Sequence, residues 1–188
     1  MPDDICGRLR LRAVEPDDAD FMYLCDNDSS QWQENGMMAP FSRALLKDYA
    51  SNYDADIYRA RQLRLICRDG ANDSPVGIAD IFNINFRDGN AFAGVYTLPG
   101  MRRRGIAAQM LRLLCDYAFN VLGLQSVAAK IAATNEPSLR TFVKAGFSIS
   151  GTLKDWIRIN GSVADVFILQ LSRNQFIDGF SGTTSQLR

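Results

Sequence analysis

Three consecutive arginines stand directly before a glycine in Leu98-Pro99-Gly100-Met101-Arg102-Arg103-Arg104-Gly105-Ile106-Ala107. The run joins a segment of strand character to the most regular helical pattern in the chain. A helix N-terminus leaves several backbone N–H groups without intrahelical partners and carries about half a positive charge. Donors placed there suit a pyrophosphate. Gly105 and Ala107 remove side-chain bulk, and the arginines add charge and two-point donors. The same run would also serve as an Arg-rich loop capping a helix. It matches neither the GxxxxGK(S/T) loop nor the GxGxxG dinucleotide fingerprint.

The 188 residues contain no histidine. Ser-His-Asp and Cys-His nucleophile systems and HExxH zinc proteases are therefore excluded. Acid–base work falls to carboxylates, Tyr, Lys, Cys, a terminus or water. Cys6, Cys25, Cys67 and Cys115 are scattered without a CxxC pair, which points to free thiols in a reducing cytoplasm and to no metal site. Lys plus Arg and Asp plus Glu each number 21, so no global charge draws the chain to nucleic acid or to an anionic membrane. No apolar run approaches the ~20 residues of a membrane span, and the N-terminus lacks the apolar stretch of a signal peptide. With 47% hydrophobic and 22% charged residues, one globular domain over 1–178 is expected, followed by a disordered tail from Gly179.

Periodicity supplies the elements that would position these residues. Strands are expected over Arg8–Ala13, Leu63–Cys67, Val76–Ile84, Ala91–Leu98 and Ser126–Ala132. Phe147–Gly151 and Leu153–Ile159 read as extended, and Asn160-Gly161 as a hairpin turn into Val163–Leu171. Helices are expected from Glu15-Pro16 to about Cys25, with Phe21, Leu24 and Cys25 inward, then over Arg43–Tyr58, Gly105–Val121 and Pro137–Ala145. In the third, Ile106, Met110, Leu113, Leu114, Tyr117 and Val121 form the apolar stripe. Asn27–Ser42 reads as a loop. The alternation gives a mixed α/β domain.

Two segments carry a family resemblance. Arg102 through Ala107 fits Gln/Arg-x-x-Gly-x-Gly/Ala, the pyrophosphate motif of the GNAT superfamily. Asn135-Glu136-Pro137-Ser138 through Phe142-Val143-Lys144-Ala145-Gly146-Phe147 is similar to that family's segment running from Asn to Gly-Phe. The likeness reaches about Leu171 and is strongest to the ribosomal-protein and spermidine N-acetyltransferase branch. The stretch 27–64 and Asp155-Trp156 are similar to bacterial members of uncertain substrate.

The resemblance implies a twisted mixed sheet flanked by helices and acetyl transfer from acetyl-CoA to a primary amine by direct attack, without a metal. Backbone groups of Tyr96, Thr97 and Leu98, the turn Arg102, Arg103, Arg104, Gly105, Ile106 and Ala107, and Asn135 and Ser138 would hold CoA. Asp80 or Glu34 would deprotonate or attract the amine, with Trp32 beside it; Phe41, Phe82 and Trp156 are further aromatic candidates for the acceptor pocket. The implied acceptor is a small amine or polyamine; a peptide N-terminus and a non-catalytic acyl-CoA-binding module are the alternatives. Phe142 stands where many relatives have a Tyr that protonates the departing thiolate. Relatives also suggest a homodimer or higher homo-oligomer, pairing through Val163–Leu171.

Overall fold

The computed structural model describes residues 9–53 and 56–181, excepting the side chains of Glu34, Asn35, Phe180 and Ser181. In chain order the elements are β1 (Leu9–Ala13), α1 (Ala19–Asp26), α2 (Trp32–Asn35), α3 (Arg43–Ser51), α4 (Ile57–Ala60), β2 (Gln62–Asp69), β3 (Pro75–Asn85) and β4 (Asn90–Thr97). They continue with α5 (Ile106–Asp116), β5 (Ser126–Ala132), α6 (Glu136–Lys144), β6 (Ser148–Ile159), β7 (Ser162–Ser172) and α7 (Arg173–Ser181).

The strands form one mixed sheet in the order β1-β2-β3-β4-β5-β7-β6. Neighbours run antiparallel except β4 and β5, which are parallel. A parallel pair needs a crossover, and α5 supplies it. Side chains alternate across β2 and β3, so each strand serves two cores. Leu63, Leu65, Ala79 and Ile81 join Leu111, Leu114 and Phe119 on one face; Ile66 and Ile78 join Met22, Cys25 and Leu46 on the other.

The short 3-10 turn Pro16–Asp18 leads into α1 and is fixed by a buried acid. Asp18 accepts from both terminal nitrogens of Arg12 at 2.6 and 2.7 Å and from the Glu15 N–H at 2.8 Å. Burial favours its neutral form, yet these donors prevail and keep its carboxyl below the usual range.

Several expectations need correction. In α1 Ala19, Met22 and Cys25 are buried and Phe21 packs against the same core, so of the expected inward residues Leu24 alone turns out, at 63% exposed. The helix expected over Arg43–Tyr58 is two helices, because the chain leaves α3 after Ser51 and Asp56 caps a new start. Asn27–Ser42 is not all loop: a 3-10 turn at Ser29–Gln31 precedes α2. The long helix ends as α5 at Asp116 and widens into a π turn, Tyr117–Val121. That register change buries Ala118 and Phe119 and leaves Val121 exposed. The two extended pieces after Phe147 are one strand, β6, with register shifts at Ile149/Gly151 and Leu153/Ile157. Helix α7 covers Gly179 to Ser181; the rest of the expected tail, 182–188, lies outside the described residues.

Candidate active site

The sheet forks in its middle. β4 and β5 pair only at Asn90↔Ser126, Ala91↔Val127 and Phe92↔Ala128. Beyond Phe92, β4 stays with β3 as far as Gly77↔Thr97, while β5 stays with β7 as far as Ala132↔Val166. The strands diverge around a cleft of about 810 Å³, with Gly94, Val95 and Tyr96 on one arm and Ala129, Lys130 and Ile131 on the other. Thr97 Oγ1, at the end of the first arm, is buried without a hydrogen-bond partner. Glycine is required at position 77, since a Cβ there would come within 2.3 Å of the Tyr96 carbonyl oxygen.

The arginine turn follows. Leu98 N–H donates to Val76 at 3.0 Å, and a 3-10 turn over Pro99–Met101 leads to Gly105, the cap of α5 at φ 80°. Arg103 is also left-handed, at φ 64°. Arg103 and Arg104 are exposed. Arg102 folds back: its Nη2 donates to Asp28 at 2.8 Å and its Nε to the Thr97 carbonyl at 3.1 Å. Asp28 also accepts from the Tyr96 hydroxyl at 2.9 Å. Burial favours neutral Asp28, but the donors Ser30, Tyr96 and Arg102 overcome it and hold its carboxyl at about 2.

Asn135 caps α6, its side-chain oxygen accepting from the Ser138 N–H at 3.0 Å. Ser138 and Phe142 line the cleft. Phe142 is buried and packs edge-on against Phe147, ring centres 5.0 Å apart.

On the opposite wall, Asp80 faces Arg64 across the β2–β3 ladder. Arg64 Nε and Nη2 donate to the two Asp80 oxygens at 2.9 and 3.1 Å. Its Nη1 donates to Asp26, the last residue of α1, at 2.8 Å. All three residues line the cleft. Burial raises the Asp26 pKa, opposed by Arg64 and reinforced by the nearby Asp80 charge. Arg64 and Asp26 escape sequence reading, because the strand pattern gives Arg64 a face but no partner.

The remaining candidates divide. Phe41 and Phe82 line the cleft, and Phe82 stacks on Phe92 with centroids 6.0 Å apart. Trp32 lies on α2 and does not line the cleft; its Nε1 is buried without a partner. Trp156 is exposed on β6 and also stands outside the cleft. Glu34 is on α2, with its side chain outside the described residues. Gln33 accepts from the Asn160 N–H at 3.1 Å, which ties α2 to the β6–β7 turn. Among the described residues, no helix is long and apolar enough to cross a membrane.

The sheet thus splits beside the N-terminus of α5, the arrangement that the family resemblance implies. Residues 8–148 match the family described as "Acetyltransferase (GNAT) domain", and the chain belongs to that family. It is an acyl-CoA-dependent N-acetyltransferase that takes its acetyl group from acetyl-CoA. Among curated proteins it is similar to the spermidine N(1)-acetyltransferase of Escherichia coli K12, 23% identical over 90% of this chain and 88% of the relative. It is also similar to an uncharacterised N-acetyltransferase, p20, of Bacillus licheniformis, at 25% identity over 90% and 95% of the two chains. Among solved structures, spermidine N-acetyltransferase from Vibrio cholerae in complex with CoA and spermine superposes with a TM-score of 0.82. That comparison covers 91% of this chain and 99% of the other at 22% identity, and so shows the shared fold.

Proposed function

We propose that this chain acetylates the primary amine of a small amine or polyamine, held in the forked cleft beside Asp80 and the β4 strand. The observation that carries the reading is that one cleft joins both requirements: the open edge of β4 and, on the same arm of the fork, the carboxylates Asp26 and Asp80, the latter opposite Gly94 in the β3–β4 ladder. The E. coli and V. cholerae relatives are spermidine N-acetyltransferases by name, which supports an amine acceptor of this kind.

In this reading the backbone of Ala93–Thr97, on the edge that β5 leaves open, hydrogen-bonds the extended arm of the acetyl donor. The first-turn amides of α5 and the arginine turn receive its pyrophosphate. Ser138 borders the arm; Asn135 contributes by shaping the start of α6. Backbone N–H groups of β4 polarise the thioester carbonyl. Asp80 orients the amine. Its two oxygens are already engaged by Arg64, so the amine proton leaves through water in the open cleft. The nitrogen attacks the thioester carbon, and the C–S bond breaks as the tetrahedral adduct collapses. Phe142 has no proton to give, so water protonates the thiolate.

Three buried free thiols, Cys25, Cys67 and Cys115, support a reducing cytoplasmic location. Strand β7 is flanked by β5 and β6 over most of its length, so a homodimer would associate through the edge strand β6 instead. A thiol-release screen over polyamines, monoamines, amino acids and N-terminal peptides tests the function. Release with amines is the expected result; release with peptides alone would overturn it.

A further inference from the structure

Arg64 occupies the position that an ammonium would take between two acids. Both Asp80 oxygens and one Asp26 oxygen accept from its guanidinium within 3.1 Å. The residue is pinned from behind as well. The Tyr53 hydroxyl accepts from the Arg64 N–H at 2.6 Å and donates to its carbonyl at 3.2 Å. The Tyr49 ring lies 5.9 Å from the guanidinium carbon. Two carboxylates and one fixed cation leave one net negative charge in this clamp.

The rest of the cleft adds no excess of acid among the described residues. Asp28 is paired with Arg102, and Lys130 stands on the β5 arm over the Phe92 ring, 5.3 Å from its centre. Among the described residues, a second or third ammonium on a long substrate would meet Arg64 or Lys130 rather than an unmatched carboxylate. In a partly desolvated cleft that repulsion is poorly screened.

We propose that Arg64 makes this acceptor site read a single ammonium group, so that its substrate class is the low-charge primary amine, a monoamine or short diamine, and not a polycation gripped along its length. This deepens the amine-acetylation reading above and rests on it.

The test is calorimetric titration of the CoA-saturated protein with spermidine and with 1-aminobutane. Wild-type affinities for the two should lie within about tenfold of each other. Arg64→Gln should raise the ratio of spermidine to 1-aminobutane affinity by roughly tenfold, and Asp26→Asn should lower it by a similar factor. Asp26→Asn keeps the Arg64–Asp80 pair and decides alone should Arg64→Gln fail to fold. A ratio unchanged in the folded variants, a wild type holding spermidine more than about a hundredfold tighter, or no binding of either amine overturns the proposal. Thiol release measured in parallel separates the two readings: a ratio that follows charge without any acetylation removes the enzymatic function and leaves the charge rule standing.

Discussion

Asp80 and Arg64 are directly opposed on neighbouring antiparallel strands, and their side chains close a two-point ion pair at 2.9 and 3.1 Å. The pair fixes the direction in which Asp80 points, and it separates two roles for that acid. An orienting carboxylate acts on substrate affinity, whereas a base acts on the maximal rate and its pH profile.

Asp80→Asn should therefore raise KM for the amine by about tenfold and change kcat by less, with acetyl-CoA affinity unaltered. Steady-state kinetics on the folded variant check this. A fall in kcat of about a hundredfold with a displaced pH profile would assign Asp80 the base role instead.

Gly105→Glu should abolish measurable acetyl-CoA binding, since it puts an anion at the N-terminus of α5. The left-handed backbone there also makes a non-glycine residue cost about 1 kcal/mol, so the melting temperature should fall slightly. Gly105→Asn, which tolerates that conformation, carries the strain without the charge and should keep most of the affinity. Calorimetry on both variants distinguishes charge from strain.

Asn135→Ala removes the cap of α6 and should cost about 1 kcal/mol of stability. Acetyl-CoA affinity should fall by no more than about threefold, because the side-chain oxygen is spent on the Ser138 amide. Urea denaturation and calorimetry on the same preparation test both halves.

Asp28→Asn should destabilise the protein by about 1–2 kcal/mol near neutral pH, through its contacts with Tyr96 and Arg102. The folded carboxyl, at about 2, lies below the ordinary value of ~3.9. The stabilisation is thus fully present above about pH 4 and is lost as the pH falls toward 2. Denaturation curves at stepped pH should show wild type and variant converging in that window. A constant difference down to pH 2 would contradict the assignment.

Much of this arrangement was legible in the sequence. The strand at Ser126–Ala132 and the Asn160-Gly161 hairpin follow from alternation and turn chemistry, and the arginine turn lies where its spacing puts it. Local patterns fail where tertiary packing chooses between neighbours. Met22 rather than Leu24 is buried because α1 packs against Leu46, Ile66 and Ile78, neighbours that the spacing within α1 does not reveal. Arg64 reads as a polar residue alternating with Leu63 and Leu65; only the register of β2 on β3 reveals that it meets Asp80. Arg102 shows the converse. Its motif suggests phosphate, yet its guanidinium is bound to Asp28, 74 residues away in sequence, a pairing that no spacing announces.

The fork after Phe92 ties ligand occupancy to the mechanics of the sheet. Beyond that residue the two halves, β1–β4 and β5–β7, are joined by no strand pairing, and side-chain packing alone spans the seam. An extended ligand lying along Ala93–Thr97 would bridge the seam much as an eighth strand would. Binding energy would then appear also as stiffness: the two halves would breathe against each other when the cleft is empty and move together when it is filled. Amide hydrogen exchange along β4 and β5 would slow in step with donor concentration, and each catalytic cycle would loosen and re-form the centre of the fold.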